Sequence, residues 1–198
     1  MPGERAAAGK GVTVSAAPPR LVATVGAAAL LRRLRDVHGA LMMHQSGGCC
    51  DGSSPMCYPL GEFIVGDRDV LVGLLDLRLA VGEVPASLPS ADLDAVPVWI
   101  SGSQFQAWKH TQLVIDVVPG RGGGFSLEAP EGWRFLSRAR AFTAAENEAL
   151  DSAPPLVGAE YAAGARPPVP DAAQVVAEAA DACPVPAPPT PSGQKTPL

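Results

Sequence analysis

Three of the four cysteines in this 198-residue chain, Cys49, Cys50 and Cys57, fall in one short stretch, with His44 just ahead of them. The stretch, HQSGGCCDGSSPMCYP, is otherwise rich in Gly, Ser, Asp and Pro. Those residues favour exposed turns, whereas an unreactive cysteine prefers an apolar core. Thiolates bind zinc and iron–sulfur clusters because soft sulfur suits those metals. The spacing is an adjacent pair, six residues, then the third thiol, which differs from the usual two-residue knuckle. A turn through residues 51–55 could return Cys57 to the pair. His44, Asp51 or the distant His110 would then supply a fourth ligand. Two other readings stay open. One cysteine could act as a nucleophile or redox thiol with His44 or His110 as its base, or the cluster could be inert loop packing.

Other constellations carry less chemistry. Trp108-Lys109-His110-Thr111 places a histidine at a helix-to-strand junction, where it either reaches the cysteine loop or is a hydrogen-bonded structural residue. His38, near the end of a helix, complements the helix dipole. Gly120-Arg121-Gly122-Gly123-Gly124 could offer N–H groups to an anion. It matches neither a Walker loop nor a dinucleotide fingerprint, and reads as a tight turn. Trp99, Phe105 and Trp108 are expected in the core. Cys183 lies in a proline-rich stretch and reads as an incidental thiol.

The elements that position these residues follow from periodicity. Thr24 can cap a helix in which Ala27, Leu30, Leu31, Leu34 and Val37 recur at helical spacing, and Gly39 can end it. Residues 40–45 read as a strand with Met42 and His44 on one face, delivering the chain into the cysteine loop. Further strands are expected over 69–81, 96–100, 112–118, 125–129 and 134–142. Ser101 or Ser103 would cap a short helix reaching His110, and Thr143 with Glu146 has capping-box spacing. The fold class is α+β, tending to a β-rich barrel or pseudobarrel. Hydrophobic content of 47% suffices for a core, but 21 Pro and 21 Gly exceed the needs of one domain. Residues 1–20 and 151–198 are expected to be disordered, 171–182 to be transiently helical, and 21–150 to form the single folded domain.

A net charge of −5 gives no electrostatic reason to bind nucleic acid or an anionic membrane. No apolar run approaches the roughly 18–20 residues needed to cross a bilayer. The N-terminal segment lacks a continuous apolar stretch of the secretory kind, so a cytoplasmic location is expected. Clustered cysteines in a reducing compartment are more often metal-binding or redox-active than disulfide-bonded.

HQSGGCCDGSSPMCYP, WKHTQLVIDVVPGRGGGFSLEAPEG and the strand between them resemble the bacterial domain-of-unknown-function family numbered 779, over residues 22–142. Members are often encoded beside aldehyde dehydrogenases. The resemblance therefore implies an accessory role in aldehyde or alcohol oxidation, with an aldehyde dehydrogenase as partner. More remotely, the order of a leading helix, Gly47-Gly48-Cys49, and Gly124-Phe125 with Pro130 is similar to the HesB-like A-type iron–sulfur carriers. That similarity implies a pseudobarrel flanked by helices, and a cluster held by the Gly-Gly-Cys cysteine and a later Cys-Gly-Cys pair. Here residues 131–137 contain no cysteine, so only Cys49 or Cys50 carries over.

The leading expectation is a non-catalytic metal- or iron–sulfur-binding accessory protein. Its ligands would be Cys49, Cys50 and Cys57, with His44 and then His110 as further donors. The cofactor is zinc or an iron–sulfur cluster, and a homodimer sharing it would relieve the shortage of ligands. The alternatives are a thiol enzyme or redox protein acting on small reactive molecules, and an assembly factor that binds an aldehyde dehydrogenase.

Overall fold

The computed structural model describes residues 17–47, 54–89, 93–121 and 124–177. The chain begins with β1 (Leu21–Thr24) and α1 (Val25–His38). The Thr24 hydroxyl accepts the Ala27 N–H at 3.2 Å and so caps the helix. Gly39, with φ 79°, turns the chain out of it, its N–H donating to the Arg35 carbonyl. Ala27, Leu30, Leu31 and Leu34 are buried along one face. Val37, expected on that face, is 70% exposed because it lies in the last turn, where the helix clears the core. The basic residues of that turn are Arg35 and His38, as the dipole favours.

Next come β2 (Leu41–Gln45), β3 (Met56–Pro59), β4 (Val70–Asp76), β5 (Ala95–Ile100), α2 (Gly102–Trp108), β6 (Thr111–Pro119) and β7 (Trp133–Ala141). α3 (Ala144–Asp151), α4 (Gly158–Ala162) and β8 (Val175–Val176) complete the described elements. The strands form two mixed sheets, one ordered β7-β6-β1-β8 and the other β3-β2-β5-β4. In the first, β1 runs parallel to β6 and β8, and β6 pairs antiparallel with β7. In the second, β2 runs parallel to β5 and antiparallel to β3, and β4 is antiparallel to β5. The fold is α+β. Among the described residues the sheets do not close into a barrel.

The main core lies between the sheets and α1. It joins Leu21 and Ala23 of β1, the buried face of α1, Leu41 and Met43 of β2, Val96 and Val98 of β5, and Ile115 and Phe135 of the first sheet. A second cluster, built on Met42, Leu71, Leu74 and Trp99, covers the opposite face of the second sheet. Trp99 is buried as expected, whereas Phe105 and Trp108 are half-buried.

Several expected elements differ. The strand expected over 69–81 stops at Asp76. Beyond it, Arg32 of α1 donates to the Leu77 and Leu79 carbonyls at 2.6 and 2.7 Å, taking the place of a ladder partner. Residues 125–129 are not a strand but turns leading into a 3-10 helix, Ala129–Glu131. The cause is non-local: the Ser126 hydroxyl accepts the Cys57 N–H at 2.8 Å, and the Leu127 N–H donates to the Cys57 carbonyl at 3.1 Å. The segment thereby covers the free edge of β3. Gly120 ends β6, and Gly122 and Gly123 lie outside the described residues.

Residues 151–177, expected as the start of an extended tail, carry α4 and β8. The Leu71 N–H donates to the Leu156 carbonyl at 2.9 Å, and the buried Gln174 side chain donates to the Leu74 carbonyl at 2.6 Å. Within 171–182, Val175 and Val176 form a strand rather than a helix, because they pair with Ala23 and Thr24. Residues 1–16 and 178–198 lie outside the described residues. No helix among the described residues is long and apolar enough to cross a membrane.

Candidate functional site

His44 occupies the penultimate position of β2, opposite Met56 of β3 and Trp99 of β5. Strand alternation puts its side chain with Met42 on the outer face of the second sheet. The residue is only 2% exposed, and its ring stacks on Phe63 with centroids 4.2 Å apart. Nε2 lies 3.0 Å from Asp69 Oδ2, and Nδ1 lies 2.9 Å from Ser46 Oγ. Asp69 is fixed in turn, since its Oδ2 also accepts the Gly66 N–H at 2.8 Å.

Burial holds the imidazole pKa below its ordinary value, outweighing the hydrogen bond and charge of Asp69, which act in the opposite direction. The ring is therefore neutral at pH 7 and carries one N–H. A carboxylate can only accept, which assigns that hydrogen to Nε2 and leaves Nδ1 as an acceptor for the Ser46 hydroxyl. A carboxylate accepting from one nitrogen and a lone pair on the other is the arrangement of a general base or of a metal-ligating histidine.

Gly47 follows with φ 84°, and a Cβ there would sit 2.8 Å from the Gln104 side chain. Glycine thus meets both the backbone conformation and the close approach at the point where β2 leads towards the cysteine pair. Gln104 is held by the Gln45 amide at 3.0 Å, and Gln45 also accepts the Ser137 hydroxyl at 2.6 Å. The end of β2 is thus tied to both α2 and β7.

The structure separates the other expected site residues. Cys57 pairs with Met43, one register position from the His44–Met56 pair, so its side chain enters the main core on the opposite face from His44. It is fully buried, and burial followed by the nearby Glu128 charge pushes its thiol far up, away from the thiolate that a nucleophile requires. His110 is exposed in the turn after α2, its Nδ1 3.1 Å from Asn147 Oδ1 of α3. Cys49, Cys50, Asp51 and Cys183 lie outside the described residues. Among the described residues, no three His, Cys, Asp or Glu side chains converge as metal ligands.

Asp69, Ser46 and Phe63 complete the environment of His44, and none was singled out from the sequence. On sequence alone Asp69 reads as the first residue of a strand. Its polar setting, Gly66-Asp67-Arg68-Asp69 before an apolar run, marks a turn, but nothing local links it to a histidine in β2.

No curated protein and no solved structure matches the chain. A family profile does, over residues 30–141, and this span runs from the buried face of α1 to the end of β7, taking in His44, Asp69 and the cysteine loop. The match extends over more than half of the sequence, and the chain belongs to the family described as Domain of unknown function (DUF779).

Proposed function

We propose that the chain is a metal-binding accessory protein whose ligands are His44 Nδ1 and the thiolates of Cys49 and Cys50. The observation that carries this reading is the Asp69–His44 pair. It holds the ring neutral, with the Nδ1 lone pair turned towards the Ser46 hydroxyl, three residues before the cysteines. Metal binding at Nδ1 displaces only the Ser46 hydrogen bond, which a hydroxyl can remake elsewhere. One imidazole and two thiolates suit zinc, with the fourth position left for solvent or a partner's side chain. Cys57 and His110 stand outside this ligand set, the first for its burial and the second for its bond to Asn147.

The finer likeness to HesB-like pseudobarrel carriers belongs to the same proposal. It rests on the leading helix and the Gly-Gly-Cys order, and under it the bound group would be an iron–sulfur cluster. An aldehyde dehydrogenase is the proposed partner, in aldehyde or alcohol oxidation.

The test is metal analysis and absorption spectroscopy of the full chain purified without oxygen. About one zinc per chain and no visible colour is expected. Iron, sulfide and visible bands would identify the cluster instead. Cys49→Ser/Cys50→Ser should lose the metal and His44→Asn should weaken it, whereas Cys57→Ser should keep it. Full retention in the double cysteine variant would overturn the proposal.

A further inference from the structure

Phe63, whose ring stacks on His44, also lines a cavity of about 400 Å³ over the outer face of the second sheet. Met42, Leu74 and Trp99 form part of its floor, and Tyr161 of α4 part of its wall. Every other lining residue is apolar or glycine except Arg166, the only charged residue of the lining among those described. The volume falls in the lower part of the range of about 300–1,000 Å³ typical of small-molecule sites.

Arg166 is held at the rim. Its guanidinium carbon lies 4.2 Å from the Tyr161 ring centroid, and Nη1 donates to the Tyr161 and Ala165 carbonyls at 3.1 and 2.7 Å. Both of those bonds use one nitrogen. Among the described residues no carboxylate pairs with Arg166, and neither Nε nor Nη2 donates to a protein acceptor. The guanidinium is thus held over the Tyr161 ring through Nη1, while the Nε–Nη2 edge keeps its two parallel donors. That fork geometry matches a carboxylate.

We propose that this cavity binds a small amphiphilic carboxylate, its apolar body on Met42, Leu74 and Trp99 and its head on the Nε–Nη2 edge of Arg166. A neutral apolar molecule would leave the fork unused. A polyanion would find one cation and an apolar wall. A second cavity, of about 210 Å³, shares Leu74, Leu88 and Arg166 with the first, so the head site sits where the two meet. The aromatic walls assign the body of the ligand to the larger one. The site uses neither cysteine, so this inference and the metal proposal fail separately.

The experiment is calorimetric titration of the full chain with octanoate and with octanol, which share a body and differ in head group. Octanoate should bind saturably at one site and more tightly than octanol. Arg166→Gln should weaken octanoate roughly fivefold, the modest effect expected of an exposed cation, and leave octanol unchanged. Arg166→Lys, which keeps the charge and loses the fork, should fall between. Ala162→Trp, at an exposed position of the lining, should weaken both ligands without lowering the melting midpoint. Absence of saturable octanoate binding, or equal octanoate affinity in the wild type and Arg166→Gln, would overturn the assignment. So would Ala162→Trp binding both ligands as the wild type does.

Discussion

His44 and Glu128 are both ionisable and buried, and they respond to pH in opposite senses. Burial lowers the His44 pKa, so the folded state prefers the neutral ring. Its contribution is present above the ordinary histidine range and is lost as pH falls through the folded value. Burial raises the Glu128 pKa, although hydrogen bonds from Ser126 and the backbone oppose the rise. The folded state prefers the protonated acid, so that contribution is present below the ordinary glutamate range and is lost as pH rises through the folded value. Glu128→Gln should therefore raise the thermal midpoint at pH 7 and give no such gain at pH 4, measured by melting across that range. An equal shift at both values would show that charge at this carboxyl is not the cause. The fate of Cys57 was not legible at this scale. Its loop neighbours suggested exposure, but a β-strand alternates faces, and pairing with Met43 rather than with His44 sends the thiol into the core.

The helices show which elements local sequence can specify. α1 and α3 were legible because their signals are contained in a few residues. Thr24 and Gly39 bracket the first, and the second has a complete capping box in which Thr143 and Glu146 bond each other's backbone N–H. The Arg140 guanidinium and the Thr143 N–H hold the Glu146 carboxyl down to about 2. The segment 125–129 was not legible, because Ser126 and Leu127 are placed by hydrogen bonds to Cys57, far away in sequence. α4 is not legible in the sequence for a related reason. It is short, and its position depends on contact of Gly158 with the Gly66 turn, where an added Cβ would run into the Gly66 carbonyl oxygen. Gly158→Ala should thus cost about 1–3 kcal/mol, the usual range for overpacking. Denaturant titration checks this, and a neutral result would mean that α4 shifts freely against the turn.

Across the molecule, the segment after α3 acts as a brace between the sheets. Leu156 bonds to β4, Gln174 bridges to the Leu74 carbonyl, and β8 pairs with β1. Proline-rich composition concealed this, since only a few residues of the segment make the decisive contacts. A chain ending at residue 150 should unfold with roughly 2 kcal/mol or more less free energy than the full chain, from lost pairing and bared apolar surface. Equal stability by denaturant titration would show the brace to be incidental. The same pairing carries a consequence for the order of synthesis. β1 is made early, yet its neighbours are Leu113–Ile115 on one side and Val175–Val176 on the other. Both of its edges therefore stay open until β6 has been translated, and the second closes only after residue 176 has left the ribosome. A nascent strand exposed for that long is where a holding chaperone would act, and where crowded polysomes would first join neighbouring chains.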